Sequence, residues 1–308
     1  MKPRILVIRG GAIGDFILTL PALKLLREAF PGAHLEIVGY RHIIALAEGR
    51  GYADATRSIE YGPMAGFFAR GGTLAPEMVE YFGSFQQVVS YLFDPDGIFE
   101  ANVRRAGVKN FLSAFVKIDD SQHAAQQLAH PLQSLALFLD DPAATVHPTA
   151  DDREFAARFL GNESGSAIAI HPGSGGARKN WPVTAWAEFG AKLIADEPAR
   201  RIVLIGGEAD RPILHTLRAA WGDAALVAQD LPLPHLAAVL EICAAFLGHD
   251  SGISHLAAAV GAPCLLLFGP TDPAVWAPAN RHVTVLRAPD ADLGRLDVDA
   301  VLARFRSR

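Results

Sequence analysis

Short, fully apolar runs alternate with longer stretches of helical spacing along most of this chain. Ile5-Leu6-Val7-Ile8 has the character of a strand buried on both faces of a parallel sheet. The loop Arg9-Gly10-Gly11-Ala12-Ile13-Gly14-Asp15 follows. Residues 16–30 then place Leu18, Ala22, Leu25, Leu26 and Ala29 at helical spacing, and Pro21 is expected to start this helix or kink its first turn. Leu35-Glu36-Ile37-Val38 predicts a second strand, which completes a βαβ unit. The alternation continues less clearly to about residue 140. A strand is expected at 88–92, a turn at Asp94-Pro95-Asp96-Gly97, an irregular surface insertion at 60–75 and a helical stretch over 123–139.

The pattern restarts after Asp140-Asp141-Pro142. It predicts a helix over 151–160, a strand over 167–170, a helix over 183–195, a strand over 201–205, a helix over 210–220 and a strand over 225–228. Leu236 to Leu247 reads as an apolar, helix-like run ending near Gly248. Pro263 to Phe268 reads as a buried strand. Two consecutive βα-repeating halves imply an α/β protein with two doubly wound domains, residues 1–150 and 151–308, facing each other across a cleft.

Bulk properties add exclusions. The chain has 308 residues, long enough for two cores, and a net charge of −5. Residues 1–150 hold 13 Lys/Arg against 15 Asp/Glu, and residues 151–308 hold 15 against 18, so neither half carries the basic excess of a general nucleic-acid binder. Cys243 and Cys264 lie in apolar surroundings and read as reduced core thiols. No secretory leader is visible at the start, and no apolar run approaches the roughly 20 residues of a membrane span. A cytoplasmic location is expected.

In open α/β sheets ligands bind outside the carboxyl ends of the strands, and the polar clusters of this chain fall on such ends. The loop 171–182 (His-Pro-Gly-Ser-Gly-Gly-Ala-Arg-Lys-Asn-Trp-Pro) reads as an anion cradle. Gly173, Gly175 and Gly176 allow close backbone approach, Ser174 offers a hydroxyl, and Lys179, with Arg178 second, offers charge. Glu208 follows two glycines at a strand end, where a carboxylate can take both hydroxyls of a ribose; it is equally readable as an ordinary surface glutamate. The stretch Gly248-His249-Asp250-Ser251-Gly252-Ile253-Ser254-His255 places small polar residues at a helix entrance. Asp250 and Ser251 are either ligand contacts or caps, and His255 is either part of the site or a core histidine. His249 and His255 stand six apart, which is not the spacing of a helical metal pair, and no metal site is expected. In the first half Asp15 is either a general base beside a sugar hydroxyl or a helix cap. The loop after the first strand fits neither G-x-G-x-x-G nor the P-loop, which disfavours a nicotinamide enzyme.

Four blocks together resemble glycosyltransferase family 9, the heptosyltransferases. They are Arg9–Asp15 with Pro21-Ala22-Leu23, His171–Pro182, Gly206-Gly207-Glu208, and residues 248–273 ending in Gly-Pro-Thr-Asp-Pro. The resemblance implies a GT-B fold of two Rossmann-like domains, with acceptor held by the first and nucleotide-sugar donor by the second. The last helix, over 298–306, is expected to return onto the first domain. It further implies an inverting, metal-independent transfer of heptose from ADP-heptose to a lipopolysaccharide core acceptor, a lipid-linked oligosaccharide, with no resident cofactor. By the resemblance Asp15 is the catalytic base. Lys179 and the Ser174–Gly175 region hold the donor diphosphate, Glu208 holds the ribose, and Asp250, Ser251, Gly252 and His255 form one wall of the donor site. Asp230-Leu231-Pro232 stands where the family often has Gly-Lys-Thr/Ser. Transfer of another sugar to a protein or surface glycan, and a catalytically silent nucleotide-sugar-binding protein, are the alternatives. Phe67-Phe68-Ala69-Arg70 is read either as an exposed patch for peripheral contact with the inner membrane or as core aromatics.

Overall fold

In the computed structural model, which describes residues 2–161 and 165–307, the chain divides into two compact units, residues 1–142 and 143–308. The first unit runs β1 (Arg4–Arg9), α1 (Ile13–Ala29), β2 (His34–Gly39), α2 (Arg41–Ile44), β3 (Ala55–Ser58), α3 (Pro76–Gly83), β4 (Gln87–Ser90), α4 (Ile98–Arg105), β5 (Phe111–Ser113) and α5 (Ala124–Ala129). Its five strands are parallel in the order β3-β2-β1-β4-β5. The order reverses between β1 and β4, where Ile8 lies opposite Ser90.

The second unit runs α6 (Ala150–Leu160), β6 (Ile168–His171), α7 (Val183–Asp196), β7 (Ile202–Gly206), α8 (Arg211–Trp221), β8 (Ala225–Gln229), α9 (Leu233–Glu241), β9 (Ala245–His249), α10 (Gly252–Ala259), β10 (Cys264–Phe268), α11 (Pro273–Trp276), β11 (Val283–Arg287) and α12 (Val298–Arg306). Its six strands are parallel in the order β11-β10-β9-β6-β7-β8, reversing between β6 and β9. Two such sheets are the doubly wound architecture that the apolar runs predict, and together they make the GT-B class of fold.

The strands are apolar throughout because helices cover both faces of each sheet. In the second unit Trp181, Trp186 and Phe189 are fully buried beside Ile170, Leu204 and Leu247. Phe305 of α12 meets Phe189 of α7 edge-on, with ring centroids 5.7 Å apart. Lys192 of α7 pairs with Asp299 of α12 at 2.6 Å, so the last helix is packed on α7 of its own unit.

Four local expectations change. The helix after β1 starts at Ile13, not Phe16, so Asp15 lies inside its first turn, and Pro21 sits within a continuous helix. The run from Leu236 to Leu247 is not one helix: α9 stops at Glu241 and β9 begins at Ala245. The break falls where Cys243 closes a turn onto Leu240, and uniform apolarity hides it because both pieces are buried. The stretch 123–139 is only a six-residue α5, followed by a 3₁₀ turn that Pro131 enters. The region 60–75 contributes to the core: Met64 and Phe67 have no exposed surface, and the Asn102 amide donates to the carbonyls of Phe67 and Ala69 at 3.0 and 2.8 Å. Phe67 therefore cannot belong to an exposed aromatic pair; Phe68, 46% exposed, stands without it.

Candidate functional site

Both sheets present their reversal points, and the loops leaving them are the natural ligand positions. In the second unit these are the loop after β6 and the junction of β9 with α10.

The loop after β6 is held in place from below. His249, the last residue of β9, has no exposed surface. Its Nε2 accepts the Trp181 N–H at 2.8 Å, and its Nδ1 lies 3.3 Å from the Gly173 carbonyl. A nitrogen that accepts must be unprotonated, so the other carries the hydrogen and donates to Gly173. Burial disfavours the charged ring and pushes its pKa down to about 3. Within the loop the Ser174 hydroxyl donates to the Gly176 carbonyl at 2.9 Å and accepts the Gly176 N–H at 3.2 Å, while Gly175 and Gly176 have open space where a side chain would stand. Residues 177–179 form one 3₁₀ turn. It delivers the Lys179 ammonium to Asp250 Oδ2 at 2.5 Å. Thr271, of the Gly-Pro-Thr-Asp-Pro segment, donates to the same oxygen at 2.8 Å.

The junction after β9 is a capped helix entrance. Ser251 is the N-cap of α10, its hydroxyl accepting the Ser254 N–H at 3.3 Å, and the Ser254 hydroxyl donates to the His249 carbonyl. The N–H groups of Gly252 and Ile253 precede any i−4 partner and face an end of positive partial charge. His255 is buried on the inner side of this helix.

A second polar thread runs to the loop after β7. His171 Nδ1 is 3.3 Å from the Ser251 hydroxyl, and its Nε2 is 3.6 Å from Asp210 Oδ2. That oxygen also accepts the Gly207 N–H at 2.9 Å. Burial pulls the Asp210 carboxyl up, but the His171 ring and the Gly207 N–H outweigh it, and its pKa ends below the ordinary value. A Cβ at position 173 would collide with Asp210 Oδ1, so glycine there is a packing requirement. Glu208 projects into solvent, 85% exposed, with Arg211 3.9 Å away.

The structure thus brings Lys179, Asp250 and Ser251 together at one reversal point and leaves Glu208 on its rim. Sequence reasoning did not assign His171, Asp210, His249 or Thr271. The usable signal for Asp210 was the glycine at 173 and the pair at 206–207. For His249 the sequence offers only its spacing to His255, which does not suit a helical metal pair.

In the first unit Asp15 is the third residue of α1. Its carboxylate accepts the Ala12 N–H at 2.9 Å, and its side chain is 45% exposed. Ala12, having no polar side chain, leaves half of a capping box. Arg9 donates to Thr19 Oγ1 at 2.9 Å and to the Asp15 carbonyl at 3.1 Å, with its guanidinium 3.8 Å from Asp15 Oδ1. Burial lowers the Arg9 pKa, with Asp15 and Tyr91 acting in the opposite sense. Asp15 is therefore both a helix-start anchor and an accessible carboxylate. Among the described residues no group of three or more His, Cys, Asp or Glu is placed to hold a metal ion.

Two parallel sheets with an anion-ready entrance make a doubly wound architecture that places ligands at its reversal points. The model of glycosyltransferase family 9 (heptosyltransferase) matches residues 101–297, more than half the chain, and the chain belongs to that family. Lipopolysaccharide heptosyltransferase 1 of Escherichia coli K12 is 27% identical over 327 residues, covering 99% of each chain. Among solved structures, a family 9 glycosyl transferase from Veillonella parvula superposes with a TM-score of 0.82 at 20% identity, covering 99% of this chain and 96% of that one. E. coli heptosyltransferase WaaC with ADP superposes with a TM-score of 0.74 at 21% identity, covering 99% of both. The protein is a glycosyltransferase enzyme.

Proposed function

We propose that the protein transfers a heptose from ADP-heptose to a lipopolysaccharide core acceptor, with inversion and without a metal. The second unit would hold the donor and the first the acceptor. The observation that carries this reading is the Lys179–Asp250 pair at the β6/β9 reversal, beside the open first turn of α10. The leaving diphosphate needs positive charge and N–H donors, and Lys179, drawn from Asp250, and the first-turn N–H groups of α10 would supply them. Kinship with lipopolysaccharide heptosyltransferase 1 supports the sugar and acceptor, and the ADP-bound neighbour supports the base.

In this mechanism Asp15 removes the proton from the acceptor hydroxyl as that oxygen attacks C1 of the heptose. The C1–O bond to the diphosphate breaks on the opposite side, and ADP departs toward Lys179 and the α10 entrance. Ser174 shapes the loop through its own hydrogen bonds with Gly176. Glu208 reaches from the rim to the ribose hydroxyls, and Gly252 leaves the helix entrance uncovered. His255 supports this wall from its buried side.

No helix among the described residues is long and apolar enough to cross a membrane. We place the enzyme in the cytoplasm, meeting its lipid-linked acceptor at the inner membrane.

The test is transfer from ADP-heptose to a lipid-linked core acceptor, with ADP release measured in parallel and ADP, UDP, GDP and NAD compared by thermal shift. ADP-selective stabilisation with transfer supports the proposal. Selectivity for UDP or GDP overturns the heptose donor, and donor binding with no transfer to any core acceptor overturns the acceptor.

A further inference from the structure

We propose that His249 is a positioning residue that fastens both ends of the 173–181 loop and so presets Lys179 for the diphosphate. This rests on the donor-site reading above. One imidazole makes two bonds of opposite sense to the loop's backbone, accepting from Trp181 N–H and donating to the Gly173 carbonyl. The segment between those two points carries Ser174, Gly175, Gly176 and Lys179. The backbone of His249 adds a third tie, since its carbonyl accepts the Ser254 hydroxyl from the first turn of α10. The next residue in the chain is Asp250, the partner of Lys179. Loop start, loop end and helix entrance are therefore referenced to a single residue at the tip of β9.

The ring is itself held in place. Trp186 of α7 meets it edge-on at 5.3 Å between centroids, so it cannot swing away without opening the aromatic core. It stays neutral because burial resists charging, and a protonated ring could not accept from Trp181. The groups facing it are the His171 ring, which opposes protonation, and the Asp250 carboxylate, which favours it; burial exceeds both. A glycine-rich loop tethered only through its flanking strand and helix would have to be ordered by the ligand, and that ordering weakens binding. The ring removes that cost before the ligand arrives.

Three variants test this. His249→Phe fills the space and makes neither bond; His249→Gln carries one donor and one acceptor on a flat group; His249→Asn carries the same groups on a shorter stem that cannot span both partners. ADP affinity, donor KM and kcat are measured together with hydrogen exchange of the Trp181 amide in the unliganded enzyme. For the Phe and Asn variants we expect faster amide exchange. We also expect ADP Kd and donor KM raised about ten- to hundredfold, the loss of two hydrogen bonds, with kcat changed much less. Gln should restore most of the affinity. Wild-type amide protection and ADP affinity in a folded Phe variant would overturn the proposal. If Phe does not fold, equal behaviour of Gln and Asn overturns it. If wild type itself fails to bind ADP, the donor reading falls while the exchange arm still decides whether the ring fastens the loop.

Discussion

The two reversal points of this molecule are built to different standards of rigidity. At β6/β9 the loop, the helix entrance and the charged pair are cross-connected through His249, Asp250, Ser251 and Thr271, of which His249 and Asp250 are buried. At β1/β4 the corresponding loop is three residues long, and Asp15 projects from α1 with one backbone anchor and one nearby guanidinium. On the reading proposed above, the donor site is built in advance, residue by residue, whereas the acceptor side offers one carboxylate with room around it. That reading accounts for the concentration of recognisable motifs in the second half of the chain.

The sharpest way to test that contrast is to remove the single reactive group. Asp15→Ala should lower kcat by about 10²- to 10⁴-fold, measured as ADP release with acceptor present. ADP affinity by calorimetry should be unchanged. A comparable loss of ADP binding would erase the division of labour. Next in size is Lys179→Ala, which on the proposed reading removes a charged partner from the diphosphate. ADP Kd should rise about ten- to hundredfold, with a smaller change in the melting temperature.

Gly173→Ala probes packing instead of charge. The added methyl collides with Asp210, and overpacking of this kind costs about 1–3 kcal/mol, readable as a lowered melting temperature and a lowered urea midpoint. An unperturbed variant would show that the loop yields easily and is not preset.

A fourth effect concerns pH. The folded-state pKa of His249 is depressed from 6.5 to about 3, so the native state prefers the neutral ring. Its contribution to stability is fully present above pH 6.5 and is lost as pH falls from there toward about 3. His249→Gln should therefore lose less stability than wild type between pH 7 and pH 4, measured by urea unfolding. The smallest effect belongs to Glu208→Ala. The side chain is 85% exposed, so the melting temperature should not move, whereas ADP Kd should rise only a few-fold.

The fold was largely legible because its strands are short, apolar and evenly spaced, and because Pro182 and Gly222 mark helix boundaries. Legibility failed where two buried elements abut without a polar break, as at 241–245, and where a proline is tolerated inside a helix, as at Pro21. For the candidate site, composition pointed to the loops that the structure brings to one reversal point, but not to their internal bonding. Ser174 reads as a ligand hydroxyl, and its two bonds with Gly176 were not legible. His249 gave no periodic signal, because a side chain at a strand tip owes its meaning to the loop above it, which sequence distance hides. Phe67 and Phe68 illustrate the same limit, since of two neighbouring aromatics one is fully buried and the other half exposed.

The indole of Trp181 donates to the carbonyl of Leu296 at 3.1 Å, just before α12. During synthesis the 171–182 loop, whose backbone end is tied by His249, is therefore made long before the residue that holds the Trp181 indole. A nascent chain halted before residue 296 could assemble most of both sheets and still lack a finished nucleotide loop. On the donor-site reading proposed above, a copy clipped before residue 296 would lose this tie and bind the sugar nucleotide less tightly.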